Sequence, residues 1–416
     1  MRFEFDDGTL LLENAPEAVL YAEWDDRVDA YRAQAYRYRA LLEWAGQWAE
    51  SDGQATLQDG FSHGVTDAAR AYPDLALTPA LQIEPRDYQQ AALEAWRTHD
   101  RQGTVILPTG SGKTFLGLQA IADAGVGALV VTPTIDLMNQ WHATLTNAFG
   151  DQLTEEVGVL GGGSHEIAAL TVTTYDSAYR YIDEYGDRFG LLITDETHHL
   201  AADTYLQIPE MTIAPYRLGL TATYERADGR EELLEDRMGP VVYEEVVDNL
   251  AGEFLSEYET IQMSVELTSE ERSAYDDEYQ FYRDYVDNHD FDLWKEQGYA
   301  EFLKRTSYDP QGRRALIAKQ RAERIARTAT KKLDTLDNLL KRHHDDRVIV
   351  FTANNDFAYD ISREFILPCI THQTDTDERT EILERFRSGE YSMLATSQVL
   401  DEGIDVPAAR SHFPTD

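Results

Sequence analysis

One stretch of the sequence decides the fold, and it reads Thr104-Val105-Ile106-Leu107-Pro108-Thr109-Gly110-Ser111-Gly112-Lys113-Thr114. It opens with residues typical of a short buried strand and continues, after a glycine-rich turn, into a helical pattern. Such a turn lets backbone N–H groups surround phosphate oxygens, and the N-terminus of the helix adds positive potential. The stretch therefore predicts a phosphate-binding loop between a strand and a helix, although Leu107 stands where the strict pattern has glycine.

This loop supplies the first candidate ligands of a nucleotide. The turn residues would surround the phosphates with their N–H groups: Thr109, Gly110, Ser111 and Gly112. Lys113 would reach the β- and γ-phosphates, and the hydroxyl of Thr114 would ligate Mg²⁺. The pattern therefore predicts ATP and Mg²⁺ as ligands.

Apolar runs of strand length recur along the chain in two series. The first continues from the loop through residues 128–131, 170–173 and 191–194, and the second comprises residues 348–351 and 393–396. Helical stretches separate the runs, which is the pattern of βαβ units in a parallel sheet. We therefore expect an α/β protein with two parallel-sheet domains and a mostly helical, tyrosine-rich segment between them.

An acidic pair ends the apolar run at residues 191–194. A carboxylate at the carboxyl end of a strand can hold Mg²⁺, and a neighbouring glutamate can polarise the attacking water as a base. We therefore assign Asp195 to Mg²⁺ and Glu196 to water activation. His198 is expected to sense the nucleotide or to bridge to the next motif. His198 and His199 are adjacent and point apart, which argues against a zinc site.

The N-terminal part of the chain has a different pattern. Residues 3–5 and 10–12 flank Asp6-Asp7-Gly8-Thr9, which predicts a β-hairpin, and residues 29–50 have a helical pattern. Three arginines alternate with tyrosines in that helix: Arg32, Arg37 and Arg39. They could contact nucleic acid through phosphates and stacking, or they could be solvated while the tyrosines pack. Residues 51–82 are rich in Gly, Asp and Ala, and we expect a linker or a loosely packed region.

Composition excludes several classes of protein. The 416 residues are 42% hydrophobic and 11% aromatic, which is enough for real cores and excludes global disorder. The single cysteine, Cys369, excludes a disulfide framework and a cysteine-based metal site. The sequence has no apolar run of membrane-spanning length and no signal-peptide pattern at its start. We therefore expect a soluble, cytoplasmic protein.

The formal net charge of −39 needs an explanation, because a polyanion would be repelled at low salt. Either the protein avoids polyanions, or it works where salt screens its surface. The 76 acidic residues and the choice of 30 arginines against seven lysines favour a high-salt cytoplasm.

Basic residues are concentrated in residues 303–347, which hold 13 of the 37 basic side chains and only six acidic ones. An apolar stripe at helical spacing runs through the same segment. The segment is either a basic helix that follows DNA phosphates or a solvated face balanced by the acidic remainder.

The motifs, taken in order, resemble those of superfamily 2 helicases and translocases. The most specific part is Asp195-Glu196-Thr197-His198 after Gly110-Ser111-Gly112-Lys113-Thr114. The other matches are Arg86-Asp87-Tyr88-Gln89 (Q element), Thr132-Pro133-Thr134 with Gln140-Trp141 (motif Ia), Thr174-Tyr175-Asp176-Ser177 (motif Ib), Leu218-Gly219-Leu220-Thr221-Ala222-Thr223 (motif III), Phe351-Thr352 (motif IV) and Thr396-Ser397-Gln398-Val399-Leu400-Asp401-Glu402-Gly403-Ile404-Asp405-Val406-Pro407 (motif V).

This resemblance implies further site residues. Those implied to bind the nucleotide are Gln89, which would read adenine, Arg86, Gly403 and Asp405. Those implied to contact DNA are Thr132, Pro133, Thr174, Tyr175, Arg226, Asp228 and Thr396.

A narrower resemblance is to archaeal XPB-type (xeroderma pigmentosum group B-like) DNA repair helicases. It rests on Asp195-Glu196-Thr197-His198-His199, on Glu225-Arg226-Ala227-Asp228-Gly229-Arg230 after Thr-Ala-Thr, and on residues 398–403. It implies the substrate, duplex or forked DNA, a structure-specific nuclease as partner, and a role in repair or transcription. The implied domains are a damage-recognition-like α+β domain (1–82), a RecA-like domain (83–245), a thumb-like helical region and linker (246–325) and a second RecA-like domain (326–416).

Two departures from the family pattern affect the expected activity. The Arg-Glu-Asp element of the family reads Arg226-Ala227-Asp228, so one carboxylate is missing. No Gln-Arg-x-Gly-Arg follows motif V before Asp416, so we expect a truncated or frameshifted product, or a fragment, with an incomplete second RecA-like domain. The alternative function is therefore an ATP- and DNA-binding module or an inactive fragment. Residues 398–407 and the N-terminal part argue against a restriction-type translocase.

Overall fold

A computed structural model of the chain describes residues 1–16, 18–51, 64–80, 84–202, 204–223, 231–245, 261–289, 291, 296–397 and 411–414. The chain forms two compact units, residues 1–258 and 259–416.

The first unit contains thirteen of the described strands and seven of the described α-helices. The strands are β1 (Arg2–Asp6), β2 (Thr9–Glu13), β3 (Ala22–Asp25), β4 (Ala30–Gln34), β5 (Thr66–Asp67), β6 (Gln102–Ile106), β7 (Ala128–Thr132), β8 (Gly158–Gly161), β9 (Ser164–His165), β10 (Leu170–Thr174), β11 (Leu191–Asp195), β12 (Tyr216–Thr221) and β13 (Val241–Glu244). The helices are α1 (Tyr38–Ser51), α2 (Asp87–Thr98), α3 (Lys113–Ala124), α4 (Ile135–Phe149), α5 (Tyr175–Tyr185), α6 (Gln207–Glu210) and α7 (Glu231–Met238).

The second unit contains a helical part and a small sheet. Its helices are α8 (Ser269–Asn288), α9 (Glu296–Thr306), α10 (Pro310–Arg327), α11 (Thr330–Arg342), α12 (Asn355–Phe365) and α13 (Thr376–Ser388). Its strands are β14 (Val348–Thr352), β15 (Cys369–Ile370), β16 (Met393–Ser397) and β17 (Ser411–Pro414).

The N-terminal sheet has the order β3-β4-β2-β1-β5. The predicted hairpin is confirmed: β1 and β2 are antiparallel with Asp6 opposite Thr9, and both turn residues, Asp7 and Gly8, have positive φ. A right-handed strand twist favours this kind of two-residue turn.

The helix predicted for residues 29–50 is wrong in its first part. Residues 30–34 form β4, which pairs with both β2 and β3, and the α-helix begins only at Tyr38. The physical reason is that the backbone of this segment pairs with two strands at once, and this pairing buries Ala30 and Ala33. Sheet pairing thus overrides the local helical pattern.

The prediction that residues 51–82 are a linker or loosely packed is also wrong for residues 64–80, which the structure describes. Within residues 64–80, the buried side chains are Val65, Ala69, Tyr72 and Leu77. β5 pairs with β1, and the Tyr38 hydroxyl donates a hydrogen bond to the Asp67 carboxylate. Burial of these apolar groups joins the segment to the main core of the unit.

The large sheet contains the predicted first series of strands, in the order β13-β6-β12-β11-β7-β10-β8-β9. Its strands are parallel except for β9, which is antiparallel to β8. β7, β10 and β11 are buried along their whole length, as expected for parallel strands covered on both faces. The α/β fold class is therefore confirmed. The carboxyl ends of β6, β12, β11, β7 and β10 lie along one edge of this sheet.

The N-terminal sheet packs directly on the large-sheet part of the same unit. One core cluster includes Phe3 and Leu10 from the first sheet and Leu218 from the second. At the boundary, the Tyr36 ring lies between two guanidinium groups, 4.4 Å from Arg37 and 4.1 Å from Arg237.

The second unit matches the predicted helical segment and the second strand series. α8 and α10 lie against each other, and Tyr282, Tyr285 and Phe302 form the centre of their core. The small sheet has the order β15-β16-β14-β17, and all its pairs are parallel.

In the described part of the chain, we find no helix that combines the length and the apolar character needed to cross a bilayer.

The packing of α3 on α4 gives a test of this arrangement. A Cβ added at Gly117 would lie 2.5 Å from Cη2 of the buried Trp141 ring, so Gly117→Ala should destabilise the protein by ~1–3 kcal/mol through overpacking. The matched control is Gly46→Ala in α1, where no atom lies within 4 Å of the added Cβ. That variant should be neutral or stabilising by about 0.4–1 kcal/mol. Urea unfolding measures both, and equal effects of the two substitutions would contradict the packing.

Candidate nucleotide-binding site

The phosphate-binding loop lies between β6 and α3. Gly112 caps α3 in the left-handed conformation, with φ of 85°, and Gly110 has φ of 77°. A Cβ at Gly112 would lie 2.6 Å from Nε2 of Gln89, so both backbone conformation and space require glycine there. The turn therefore lies directly at the N-terminus of α3, where the positive end of the helix favours an anion such as phosphate.

The predicted Q element contacts this loop from α2. Gln89 Nε2 donates to the Ser111 carbonyl at 2.9 Å, and Gln89 Oε1 accepts from the Arg86 N–H at 3.0 Å. The Tyr88 hydroxyl donates to the same Ser111 carbonyl at 2.6 Å. Gln89 thus contacts the loop and fixes its backbone, and Arg86 contacts Gln89 and Tyr88. Nucleotide binding by Arg86 stays a prediction. Adenine recognition by Gln89 stays a prediction.

Lys113 and Glu196 face each other across the carboxyl edge of the sheet. Lys113 Nζ lies 3.4 Å from Glu196 Oε1 and donates to the Leu107 carbonyl, also at 3.4 Å. Glu196 has φ of 50° and ψ of 58°, a left-handed conformation that costs free energy in a residue other than glycine. The strained backbone turns the Glu196 side chain from the end of β11 toward Lys113.

Asp195 is buried directly beneath this pair. Burial raises the pKa of its carboxyl group, because desolvation disfavours the charged form. Its Oδ2 accepts a hydrogen bond from the indole Nε1 of Trp141 at 2.8 Å, and its Oδ1 accepts from the Glu196 N–H at 3.2 Å. A buried carboxylate with two fixed hydrogen bonds favours a nearby cation.

His198 connects the acidic motif to the end of β12. Its Nδ1 lies 3.1 Å from Thr221 Oγ1 and 3.6 Å from Glu196 Oε2. Thr221 Oγ1 donates to the Thr223 carbonyl at 2.6 Å and lies 3.4 Å from Glu196 Oε2. Of the two roles expected for His198, this geometry fits the bridge to motif III.

These residues fit a Mg²⁺–nucleotide. Mg²⁺ in such sites takes one or two protein oxygens and completes its shell with phosphates and water. Asp195 and the Thr114 hydroxyl in the first turn of α3 carry oxygen atoms of the kind that Mg²⁺ takes as ligands, and Lys113 carries a positive charge that suits phosphate. Among the described residues, no cluster of three His, Cys, Asp or Glu side chains is arranged to bind a metal by itself.

The residues predicted to contact DNA fall into three groups. Thr132, Tyr175 and Thr396 are buried, and their hydroxyls donate to backbone carbonyls. Pro133 lies in the turn before α4, and Thr174 caps α5 by accepting from the Ser177 N–H. Arg226 and Asp228 lie outside the described residues, so direct DNA contact by any member of the three groups stays a prediction. Gly403 and Asp405, which are predicted to bind the nucleotide, also lie outside the described residues.

The arginines of the N-terminal part are held by contacts within the unit. Arg32 pairs with Asp6 and Asp25 at 2.8 and 2.9 Å, and Arg39 pairs with Glu43 at 3.1 Å. Arg37 stacks on Tyr21 and Tyr36. The arginines are therefore paired or stacked and not simply solvated, which differs from the second of the two alternatives, and nucleic-acid contact by them stays a prediction.

Two site residues were missed by sequence reasoning. Trp141 was assigned to a DNA motif, yet its indole binds the Asp195 carboxylate. Tyr175 was assigned to DNA, yet its hydroxyl donates to the Asp195 carbonyl at 2.9 Å. The only sequence signal is that each aromatic residue belongs to a motif that follows a strand of the parallel sheet.

The fold and the site define an ATP-dependent motor of helicase superfamily 2. The sequence matches the families described as "Type III restriction enzyme, res subunit" at residues 82–226 and "Helicase conserved C-terminal domain" at residues 331–413. Among solved structures, Dbp5 of S. cerevisiae bound to RNA and ADP BeF3 is similar in fold. Its TM-score is 0.52, with 15% identity, and the match covers 80% of this chain and 75% of that one.

Residues 3–47 match the xeroderma pigmentosum group B helicase damage recognition domain. The DNA 3'-5' translocase XPB2 of Sulfurisphaera tokodaii is 36% identical over 93% of this chain and 84% of that protein. A protein of Haloarcula marismortui, named as a candidate DNA 3'-5' helicase Rad25, is 27% identical over 94% of this chain and 58% of its own length. The chain belongs to the XPB-type family of DNA 3'-5' helicases and translocases, which confirms the predicted resemblance.

The hydroxyl of Thr221 gives a test of the bridge between His198 and Glu196. Thr221→Val should keep nucleotide binding and lower ATP turnover by on the order of tenfold or more, because base catalysis contributes about 10²–10⁴-fold and needs an oriented carboxylate. Thr221→Ser, which keeps the hydroxyl, is the matched control and should retain turnover. Steady-state phosphate release measures both. Equal turnover of the Val and Ser variants would exclude the bridge.

Proposed function

We propose that the chain hydrolyses ATP to move along DNA and to open duplex or forked DNA, with the 3'-5' direction for which its relatives are named. The observation that carries the proposal is the group formed by Lys113, Asp195 and Glu196 at the carboxyl edge of the large sheet. It provides a phosphate cation, a metal ligand and a base within one site. Family membership supports DNA as the second substrate.

Each residue of that group has a role that follows from its position. Mg²⁺, when bound, neutralises charge on the β- and γ-phosphates. Thr114 and Asp195 are the residues that would hold it. Glu196 accepts a proton from the attacking water, and the contact with His198 and Thr221 orients its carboxylate. The loop N–H groups hold the phosphates in line for this attack.

Lys113 has to exchange partners during the reaction. Its ammonium group lies 3.4 Å from the Glu196 carboxylate, and this contact restrains the carboxylate. A bound γ-phosphate is a stronger partner for Lys113, because charge-assisted hydrogen bonds to phosphate are short and strong. Nucleotide binding therefore frees Glu196 to act on water. This exchange links binding to the start of hydrolysis.

DNA binding is proposed at the turns that follow β7 and β10, which end at the same edge of the sheet as the nucleotide site. Helix α10 is a second basic surface, although Arg314 and Arg321 both pair with Glu278. The match to a damage recognition domain supports a role in DNA repair. We further propose a structure-specific nuclease as partner and a high-salt cytoplasm as location, where ATP and DNA occur together.

Substitution of the two central residues tests the proposed chemistry. Lys113→Ala should abolish ATP turnover, since it removes the phosphate cation. Glu196→Gln should lower turnover by about 10²–10⁴-fold and leave ATP bound, because only the base is lost. The matched control is Glu43→Gln in α1, a surface carboxylate paired with Arg39. Phosphate release and retained radiolabelled ATP are the measurements, and equal turnover in wild type and Glu196→Gln excludes Glu196 as the base.

The proposed DNA substrate has a separate test. In molar KCl, duplex DNA should stimulate phosphate release, and a fork with a 3' tail should be opened faster than one with a 5' tail. Binding should persist above a few tenths molar salt, where phosphate contacts ordinarily weaken steeply. Intact ATP binding without DNA stimulation would instead support a nucleotide- and DNA-binding module. If the two forks were opened at equal rates, the proposed 3'-5' direction of movement would be contradicted.

A further inference from the structure

Two aromatic side chains converge on the acidic pair from two different helices. Trp141 lies in the second turn of α4, and Tyr175 is the first residue of α5. Their side chains are 1% and 2% exposed. Both end in a polar group, and buried indole N–H and phenol O–H groups require acceptors. Both acceptors here belong to the Asp195-Glu196 motif.

The two hydrogen bonds restrain different atoms of the motif. Trp141 Nε1 donates to the Asp195 carboxylate at 2.8 Å, which restrains rotation of the side chain. The Tyr175 hydroxyl lies 2.9 Å from the Asp195 carbonyl and 3.4 Å from the Glu196 carbonyl. It therefore holds the backbone where Glu196 adopts its left-handed conformation. Side chain and backbone of the acidic pair are each fixed by one aromatic donor.

Each helix that carries an aromatic donor begins at a turn of the predicted DNA surface. Thr134 caps α4 by accepting from the Leu137 N–H, and Thr174 caps α5 in the same way. The two turns are also joined, because Thr132 Oγ1 donates to the Thr173 carbonyl at 3.2 Å. A displacement of either turn is carried by a capped helix to the acidic pair. Packed helices of this kind move as rigid elements.

We propose that Trp141 and Tyr175 are positioning residues that fix Asp195 and Glu196 for hydrolysis and couple them to the turns before α4 and α5. The proposal rests on the proposed function, since it takes those turns as the DNA surface. Trp141 and Tyr175 act through their hydrogen bonds to the acidic pair.

Conservative substitutions separate positioning from packing. Trp141→Phe removes the indole N–H and keeps an aromatic ring, and Tyr175→Phe removes only the hydroxyl. The matched control is Trp96→Phe, because Trp96 is also fully buried and donates its indole N–H to a backbone carbonyl, that of Arg217, at 2.8 Å. All three full-length variants lose one buried hydrogen bond, and the two Trp→Phe variants also lose the same ring volume, so urea unfolding should show comparable destabilisation for Trp141→Phe and Trp96→Phe.

The first measurement uses Mn²⁺ as a spin probe for the Mg²⁺ site, in the presence of ADP. Loss of a residue that orients a metal ligand weakens metal binding about 10–100-fold. Trp141→Phe should therefore raise the dissociation constant of Mn²⁺ on the order of tenfold. Trp96→Phe should leave it unchanged. Equal Mn²⁺ affinities in these two variants would overturn the positioning role of Trp141.

The second measurement is the ratio of DNA-stimulated to basal ATP turnover. Trp141→Phe and Tyr175→Phe should each lower this ratio by roughly fivefold or more, within the usual range of coupling between sites. Trp96→Phe should keep the wild-type ratio. Unchanged ratios in both test variants would overturn the coupling, and Tyr175→Phe alone decides it if Trp141→Phe does not fold. A wild-type protein without turnover would contradict the proposed function, while Mn²⁺ binding would still decide the role of Trp141.

Discussion

The order of strands in the large sheet is the constraint on which the site depends. β6, β12, β11, β7 and β10 are consecutive neighbours, and all of them point the same way. Parallel strands can be joined only by crossovers, so every loop that leaves their carboxyl ends emerges on one edge. The phosphate loop, the acidic pair and the turn of motif III are adjacent for this reason, although more than 100 residues separate the first from the last.

The electrostatics of that edge follow from the same constraint. Asp195 ends a strand that is covered on both faces, so its carboxylate is desolvated and its pKa is raised. Lys113 is the cation that faces the neighbouring Glu196, at the start of a helix that also contributes positive potential. A buried carboxylate is costly unless a cation or donors compensate it. In the described residues, Trp141 and the Glu196 N–H are those donors, which makes the site ready for a divalent cation.

Sequence patterns are sufficient to predict site residues when residue type and spacing within one short segment define their chemistry. The phosphate loop is local, and the acidic pair is marked by the apolar strand before it. Trp141 and Tyr175 could not be assigned in this way, because a helical position does not show which loop 20–54 residues away will accept its hydrogen bond. The wrong prediction of a helix over residues 30–34, which form β4, has the same cause, because long-range pairing is not visible in a local pattern. The two alanines of this strand suit a helix locally, and only pairing with β2 and β3 decides otherwise.

The charge of −39 has a structural counterpart in the way the basic side chains are used. Arg32 lies between two aspartates, and Glu278 holds both Arg314 and Arg321. The carboxylates in these pairs are mostly buried, since the side chains of Asp25 and Glu278 are 10% and 17% exposed, so the pairs hold their arginines more firmly than surface pairs do. Salt therefore acts mainly on the longer-range repulsion between a polyanion and the acidic surface, which is screened within about 3 Å at 1 M ionic strength. The acidity of the chain and the proposed DNA binding are compatible through this screening.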